Sequence, residues 1–344
     1  MARVDRFIVL SHTRPPIGTP CDDDRSIETS TTEGTLVIDM DAWRAGDEAQ
    51  RAEIARAVDE NLRSDGFLLV ANHGIPAELI DALRQAVGEF FVAPHSIKAQ
   101  YECRVGETGW MPPGVEANSY ASGVPSPADL KETFRAMHEP PGHESPNVWP
   151  VQFSDVRTHF TEYMRLLWDL AMDLYELMGV ALGLGPDIIA RHASAAVSSV
   201  NINRYPPLVE TGPVADGQFR VGAHSDFGVL TILDRQVGVG GLQVQTADGV
   251  WRDAPHEPGT MAVNIGDMLA HWTGGAWRAT VHRVLPPSLD APEEELVSLV
   301  GFCGVDPDTI IETLPIPGAV PVASSVTAGE YMAEKLAQID VAAS

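Results

Sequence analysis

The sequence has few cysteines, few basic residues and no long run of uncharged apolar residues. The three thiols, Cys21, Cys103 and Cys303, are too few and too widely spaced for a disulfide framework or a thiolate metal site, so a reducing cytoplasm is expected. Lysine and arginine number 23 against 48 acidic residues, and the formal net charge of −25 repels nucleic acid and anionic membranes. The sequence shows neither a signal-peptide pattern nor a membrane span. We therefore expect a small-molecule substrate and no nucleic-acid or membrane partner, while the oligomeric state stays open.

The chain does contain enough apolar sequence for a large core, since hydrophobic residues make up 44% of its 344 residues. We predict an irregular arm at 1–34, a mostly helical region at 35–190, a β-rich core at 191–310, and a helix with a tail at 311–344. The arm is rich in Pro, Thr, Ser and Asp and lacks periodicity. The core alternates short β-type runs with Gly, Pro and Asp, a pattern typical of a sandwich or barrel. Helical periodicity predicts helices at 49–62, 77–91, 153–184 and 326–339.

One short motif indicates metal chemistry. His224 and Asp226 are separated by a single residue in the β-rich region, and His282 follows several predicted strands later. Side chains two apart on a strand face the same side of a sheet, so the first two are expected to point together. Two imidazoles and one carboxylate are typical of non-haem Fe(II) sites with open coordination positions, although Mn, Co, Ni or Zn also bind such a set. A hydrogen-bonded core histidine and a turn carboxylate are the alternative interpretation.

Segments around this motif resemble those of the 2-oxoglutarate/Fe(II) dioxygenases in the isopenicillin N synthase-like family. The resemblance extends over residues 35–336, and its motifs follow the family's order. They are Asp65-Gly66-Phe67, Asn72-His73-Gly74-Ile75-Pro76, Asp129-Leu130-Lys131-Glu132, Asn147-Val148-Trp149-Pro150, Asn203-Arg204-Tyr205-Pro206-Pro207, His224-Ser225-Asp226, Gly240-Gly241-Leu242-Gln243-Val244, Asn264-Ile265-Gly266-Asp267-Met268 and His282-Arg283-Val284.

The resemblance implies an α+β fold, with a distorted double-stranded β-helix (jelly roll) core wrapped by helices. It also implies an oxidoreductase, a dioxygenase that uses Fe(II), O2 and the co-substrate 2-oxoglutarate to hydroxylate a small molecule, with desaturation or cyclisation as variants. The metal ligands that it implies are His224, Asp226 and His282. The co-substrate residues that it implies are Asn203, Tyr205 and Ser298.

The resemblance breaks at one position. Family members usually carry Arg-x-Ser on the strand after the distal histidine, where the arginine pairs with the distal carboxylate of 2-oxoglutarate. Here the serine is Ser298, but Leu296 occupies the arginine position. Arg220, four residues before His224, or alternatively Arg204, is then expected to supply the charge. Two further alternatives stay open: a 2-oxoglutarate-independent Fe(II) oxidase on the same fold, and a non-catalytic relative that binds metal or ligand.

The resemblance also implies a substrate pocket, walled by the loops at 106–125 and by the C-terminal helix around Tyr331. The acidic composition slightly favours a neutral or cationic substrate over a polyanion. The sequence does not identify that substrate. The aromatic residues predicted to line the pocket, each equally compatible with a core position, are Trp110, Tyr120, Phe134 and Phe302.

Overall fold

Two β-sheets form the centre of the fold in a computed structural model, which describes residues 29–32, 34–139, 147–239, 241–317, 319–321 and 326–341. The strands within those residues are β1 (Thr29–Thr32), β2 (Thr35–Asp39), β3 (Phe67–Ala71), β4 (Gly109–Met111), β5 (Glu132–Met137), β6 (Ser199–Tyr205), β7 (Val221–His224), β8 (Leu230–Arg235), β9 (Leu242–Gln245), β10 (Trp251–Asp253), β11 (Met261–Ile265), β12 (His282–Val284), β13 (Leu296–Cys303), β14 (Ile310–Ile311) and β15 (Val326–Thr327). The α-helices are α1 (Met40–Ala45), α2 (Glu48–Ser64), α3 (Ala77–Phe91), α4 (His95–Lys98), α5 (Ser154–Ala181), α6 (Asp187–Ala190), α7 (Leu208–Thr211), α8 (Asp267–Trp272) and α9 (Ala328–Ile339).

The two main sheets pack against each other. In the described part of the chain, the large sheet has nine strands in the order β1-β2-β3-β11-β8-β13-β6-β5-β4, and the small sheet has four in the order β10-β9-β12-β7. Their strands pair antiparallel, except that β2 and β3 are parallel. Side chains of both sheets, such as Leu69 and Leu242, share one apolar cluster. This architecture confirms the predicted α+β fold with a distorted double-stranded β-helix core.

Helices cover the outer side of the large sheet. The apolar stripe of α5, which includes Leu167 and Leu174, packs against this sheet and against α3. Gly301 of β13 permits the close approach, because a Cβ there would collide with the Leu167 side chain. At the start of α2, the side chains of Asp47 and Gln50 each accept a hydrogen bond from the other's backbone N–H in a capping box. The helical layer leaves the inner face of the large sheet for contact with the small sheet.

The structure differs from the sequence-based expectation mainly in the N-terminal half. Thr29–Thr32, predicted as irregular, form β1, because the β-branched threonines pair along β2. The rest of the predicted arm, apart from residue 34, lies outside the described residues. β4 and β5 lie within the segment predicted as mostly helical, and they extend the large sheet. The predicted division of the chain into four regions stays a prediction. The large sheet takes strands from the first three of these regions. The predicted helices are present as α2, α3, α5 and α9.

Candidate metal centre and its cavity

A cavity of about 410 Å³ lies between the two sheets and α9. Inward-facing side chains of β6, β8 and β13 form its wall on the large sheet, and those of β7, β9 and β12 form its wall on the small sheet. Met332 and Leu336 of α9 contribute one apolar side, and Phe302 of β13 contributes an aromatic surface. This volume and this mixture of apolar and polar side chains fit a small-molecule site.

The three side chains predicted as metal ligands converge on the wall of this cavity. One donor atom each from His224, Asp226 and His282 lies within 4.8 Å of the other two. Asp226 Oδ1 is 3.6 Å from Nε2 of His224 and 3.7 Å from Nε2 of His282. Among the described residues, no other group of His, Cys, Asp and Glu side chains has this spacing. The donor set and its open side match those of a non-haem Fe(II) site.

Strand pairing places the two histidines face to face. β7 ends at His224 and β12 begins at His282, and the two residues are direct partners in the antiparallel ladder. Nδ1 of His224 lies 2.8 Å from Gly222 O, and Nδ1 of His282 lies 3.1 Å from Thr280 O. These contacts assign the imidazole proton to Nδ1. Each Nε2 is then unprotonated and lies on the side of the Asp226 carboxylate. An imidazole in this tautomer can bind a metal through Nε2.

Asp226 reaches the site from the loop after β7 and not from the strand itself, which corrects the expectation of a shared strand face. Its backbone carbonyl accepts a hydrogen bond from Asp267 N at 2.7 Å. Its Oδ2 accepts a hydrogen bond from Asn264 Nδ2, also at 2.7 Å. Gly266 lets the two loops approach, because a Cβ there would overlap the backbone of Gly228. These contacts direct Oδ1 at the two imidazoles.

Burial and neighbouring groups set the charge of this cluster. Burial raises the pKa of Asp226, but the neighbouring His282 and His224, together with the hydrogen bond from Asn264, outweigh burial and hold the pKa below its usual range. Burial lowers the pKa of His282, whereas the Asp226 carboxylate outweighs burial at His224 and raises the pKa of that imidazole. A divalent cation coordinates the ionised carboxylate and the neutral form of each imidazole.

The residues predicted to contact the co-substrate lie together on the cavity face of the large sheet. Asn203 of β6 pairs with Ser298 of β13 on one side and with Thr133 of β5 on the other. Thr133 Oγ1 donates a hydrogen bond to Asn203 Oδ1 at 2.8 Å. Tyr205 lies in the next row, opposite Leu296. Burial raises the pKa of Tyr205, although hydrogen bonding to Asn203 and Ser298 acts against that rise. The hydroxyl and amide groups of the motif are therefore in place without its arginine.

Arg204, one of the two arginines predicted to replace the missing cation, does not line the cavity. It lies between Asn203 and Tyr205 in the sequence, so strand alternation turns it to the opposite face of the sheet. There the guanidinium donates to three carboxylates, those of Glu132, Glu210 and Glu295. The prediction that Arg204 serves the co-substrate is therefore corrected.

Arg220, the other predicted replacement, does not line the cavity either. The prediction assumed a continuous strand up to His224, but β7 begins only at Val221 and its pairing with β12 contains a bulge. Val221 and His224 both line the cavity, so the two-residue alternation is broken between them. Arg220 is fully buried and its Nη1 donates to Glu294 Oε1 at 2.9 Å. This prediction is corrected as well.

Of the four aromatic residues predicted to line the pocket, only Phe302 faces the cavity within the described residues. Phe134 and Trp110 do not line it, which corrects their prediction. Phe134 alternates with Thr133 and Arg135, and its ring packs on the opposite side of β5, 5.4 Å from the ring of Phe90. Trp110 pairs with Phe134 in the ladder, and it is a core residue.

Tyr120 is also outside the cavity wall. It lies in the 3-10 helix Asn118–Ser122, where its neighbour Asn118 faces the cavity instead. In α9, Tyr331 does not line the cavity, whereas the adjacent Met332 does. The predicted segments thus reach the cavity, but through other residues than the aromatic ones.

Several charged residues outside the predicted site also line the cavity. Lys131 Nζ pairs with the Glu116 carboxylate, and both side chains are buried. Arg135 has a buried Nε that makes no hydrogen bond within the described residues. Arg235 ends β8. Counting every second residue from Thr133 or from Thr231 would have placed these basic side chains on the inner face.

Comparison with known proteins assigns the family. Residues 37–152 match the family described as non-haem dioxygenase in morphine synthesis N-terminal, and residues 197–304 match the 2OG-Fe(II) oxygenase superfamily. The chain belongs to the 2OG-Fe(II) oxygenase superfamily. This oxygenase is 36% identical over 316 residues to validamycin A dioxygenase of Streptomyces hygroscopicus subsp. limoneus, covering 88% of the chain and 86% of that relative.

Two further relatives of the oxygenase agree with this family. It is 29% identical over 273 residues to a homoarginine-6-hydroxylase of Glycine max, covering 76% of the chain and 80% of that relative. Its fold is similar to the crystal structure of a full-length Neurospora crassa protein in complex with alpha-KG, which is 2-oxoglutarate, with a TM-score of 0.76 and 25% identity. That match covers 88% of the chain and 96% of the Neurospora crassa chain.

The protein is therefore an Fe(II)-dependent dioxygenase that couples decarboxylation of 2-oxoglutarate to hydroxylation, or a related oxidation, of a small molecule. Fe(II), 2-oxoglutarate and O2 are its cofactor and co-substrates. The alternatives of a 2-oxoglutarate-independent oxidase and of a non-catalytic relative are not favoured by these matches. Use of 2-oxoglutarate then has to be reconciled with Leu296 at the position of the family arginine.

Proposed function

We propose that His224, Asp226 and His282 hold the Fe(II) of this oxygenase. The observation that carries this proposal is the convergence of two imidazole Nε2 atoms and one carboxylate oxygen on the cavity wall. When bound, iron and 2-oxoglutarate together activate O2 for attack on an unactivated C–H bond. The protein's residues fix the donors through Gly222 O, Thr280 O and the Asn264 amide, and the barrel walls limit access of water.

The co-substrate site is proposed to lie beside the metal, at the paired Asn203 and Ser298 and at Tyr205 in the next row. These three side chains line the same cavity as the metal cluster. Their hydroxyl and amide groups donate hydrogen bonds that suit carboxylate oxygens.

The substrate is proposed to be a polar small molecule with several hydrogen-bonding groups. Arg135 and Asn201 line the cavity, and their buried Nε and Oδ1 atoms make no hydrogen bond among the described residues. Such groups need polar partners. The relatives' names refer to validamycin A and homoarginine, which are both polar molecules. Hydroxylation is the reaction proposed for this substrate, with desaturation or ring closure as variants.

Coupled turnover tests this function. Iron-loaded enzyme is incubated with 2-oxoglutarate, O2 and a panel of polar candidates that includes validamycin A and homoarginine, and succinate, O2 uptake and product mass are measured. We expect one succinate per product, and a product heavier by one oxygen or lighter by two hydrogens. Zn(II)-loaded enzyme is the control and should form neither. Product formation that does not require 2-oxoglutarate would contradict the proposal.

A cytoplasmic location is also proposed. The described cysteines, Cys103 and Cys303, are buried free thiols, which suits a reducing compartment. No helix of the described residues is long and apolar enough to cross a membrane. The excess of acidic residues supports the proposed absence of nucleic-acid and membrane partners.

A further inference from the structure

The cavity end next to Ser298 lacks the cation that the family usually places there. Leu296 packs with Tyr205 and Val221 in an apolar cluster at this end. A carboxylate buried against these side chains without a cation would be strongly disfavoured. An enzyme that uses 2-oxoglutarate therefore needs a positive charge from another part of the chain, and this reasoning rests on the proposed co-substrate site at Tyr205 and Ser298.

Strand register brings Arg235 to that end of the cavity. Ser298 of β13 pairs with Asn203 of β6 on one side and with Arg235 of β8 on the other. Arg235 is thus the diagonal neighbour of Leu296 across the β8–β13 ladder, and such neighbours lie about 7–8 Å apart at Cα, within reach of long side chains. Thr231, which is on the same face of β8, and Arg235 both line the cavity.

The guanidinium of Arg235 has no carboxylate partner among the described residues. Its hydrogen bonds use Nη2 alone, which donates to Ala254 O at 2.6 Å and to Pro255 O at 3.2 Å. Burial lowers the pKa of Arg235, and the charge of Asp253 opposes this lowering without a hydrogen bond. The Nε and Nη1 groups of Arg235 make no hydrogen bond among the described residues, and Arg235 and Ser298 line the same cavity. A half-buried cation with unused donors in a cavity is a site for an anion.

The other cations of the cavity are less suited to this end. Lys131 is already paired with Glu116, and Asp129 adds further negative charge nearby. Arg135 lies on β5, where it pairs with Asn201 of β6, and β5 is two strands away from β13. Arg235 is the basic residue of this wall that directly adjoins β13 and has no ion pair within the described chain.

We propose that Arg235 has taken over the task of the missing arginine and binds the distal carboxylate of 2-oxoglutarate together with Ser298 and Tyr205. The cation has moved from β13 to the adjacent strand β8, opposite the same serine. With Nη2 donating to two carbonyls, the Nε and Nη1 groups remain for charge-assisted hydrogen bonds to a carboxylate. Nη2 is fixed to the carbonyls of Ala254 and Pro255, so the side chain is ordered before the anion binds.

Calorimetric binding to Mn(II)-loaded protein tests this assignment without turnover. The two ligands are 2-oxoglutarate and 2-oxobutyrate, a 2-oxo acid that lacks the distal carboxylate. Arg235→Met is expected to weaken 2-oxoglutarate binding by roughly 100-fold, because one charge-assisted pair is lost. Its affinity for 2-oxobutyrate should stay within about twofold of wild type, which also shows that the variant is folded. The matched control Arg252→Met, on β10 and outside the cavity wall, should change neither affinity.

A double variant supplies an independent rescue. Arg235→Met combined with Leu296→Arg returns the cation to the family position, and it should recover most of the lost 2-oxoglutarate affinity. An Arg235→Met protein that binds 2-oxoglutarate as wild type does, with the same preference over 2-oxobutyrate, overturns the assignment. Wild-type protein that fails to bind 2-oxoglutarate would instead contradict the proposed co-substrate site as a whole, so the two failures are distinguishable.

Discussion

The two ends of the cavity differ in how many of the family's usual residues they retain. At the metal end, His224, Asp226 and His282 all match the family positions, and each is oriented by a hydrogen bond to a neighbouring group. At the carboxylate end, Ser298 is retained but Leu296 replaces the arginine. Metal coordination tolerates little displacement of a donor, because bond lengths and directions are narrowly defined. A carboxylate needs only a cation and donors within reach, so that cation can come from another strand.

Removal of a proposed metal ligand should have the largest effect. Asp226→Ala deletes the one carboxylate of the cluster, and we expect Fe(II) affinity to fall by roughly three orders of magnitude and turnover to be lost. Metal content after dialysis and succinate release measure the two effects. Asp248→Ala removes a carboxylate in a turn outside the cavity wall and is the control. Unchanged iron content in Asp226→Ala would refute the metal end of the account.

Loss of the group that orients the carboxylate should have an intermediate effect. Asn264→Ala removes the 2.7 Å hydrogen bond to Asp226 Oδ2 but leaves all three donors. We expect metal affinity to fall by about 10–100-fold, the usual range for such supporting contacts. Competition with a metal chelator measures this change. A fall as large as that of Asp226→Ala would indicate that the loop itself had collapsed, and thermal unfolding of the variant checks for this.

A change on the β5 wall should have a smaller and more selective effect. Arg135→Met removes a guanidinium whose buried Nε has no hydrogen-bond partner within the described residues. The KM for the organic substrate is expected to rise about tenfold, because a charge-assisted contact is lost. The Kd for 2-oxoglutarate should stay within about twofold, in contrast to Arg235→Met. Equal effects on both ligands would show that the two arginines do not serve separate parts of the cavity.

The thiols near the cavity should show no reactivity. Burial raises the pKa of Cys303 and of Cys103 to about 12, so both remain protonated thiols at pH 8. Ellman's reagent at pH 8 should leave both unmodified in the folded enzyme and should react with both after denaturation, with peptide mapping to assign the sites. Rapid labelling of Cys303 in the folded state would place a reactive nucleophile on the cavity wall and would weaken the assignment of chemistry to the metal end alone.

The convergence of the three proposed metal ligands could be predicted because its signal is local. His224-Ser225-Asp226 is one short segment, and the resemblance supplied His282. The strand alternation used to justify Asp226 was nevertheless the wrong reason, since the residue lies in a loop held by Asn264 and Gly266. The pairing of strands that lie far apart in the sequence gives no comparable local motif.

The cation at the carboxylate end could not be predicted in the same way. Arg220 was selected by counting along a strand, and the bulge in β7 makes that count invalid. Strand alternation can place Arg235 on the inner face, but its position next to Ser298 follows only from the pairing of β8 with β13, a contact between residues far apart in the sequence. The prediction for Phe134 fails for a related reason, because the family resemblance does not tell which face of β5 points inward. Pairing partners and bulges are tertiary information that a single sequence does not contain.

Anaerobic spectroscopy tests the central claim most directly, namely that these three side chains hold an Fe(II) to which 2-oxoglutarate binds. 2-Oxoglutarate is titrated into Fe(II)-loaded protein without O2, and the weak visible band of the iron–2-oxo acid complex is followed. The account predicts a band that saturates at one equivalent of 2-oxoglutarate in wild type and is absent in Asp226→Ala. A wild-type protein without the band, or an Asp226→Ala variant with the same band, would contradict it.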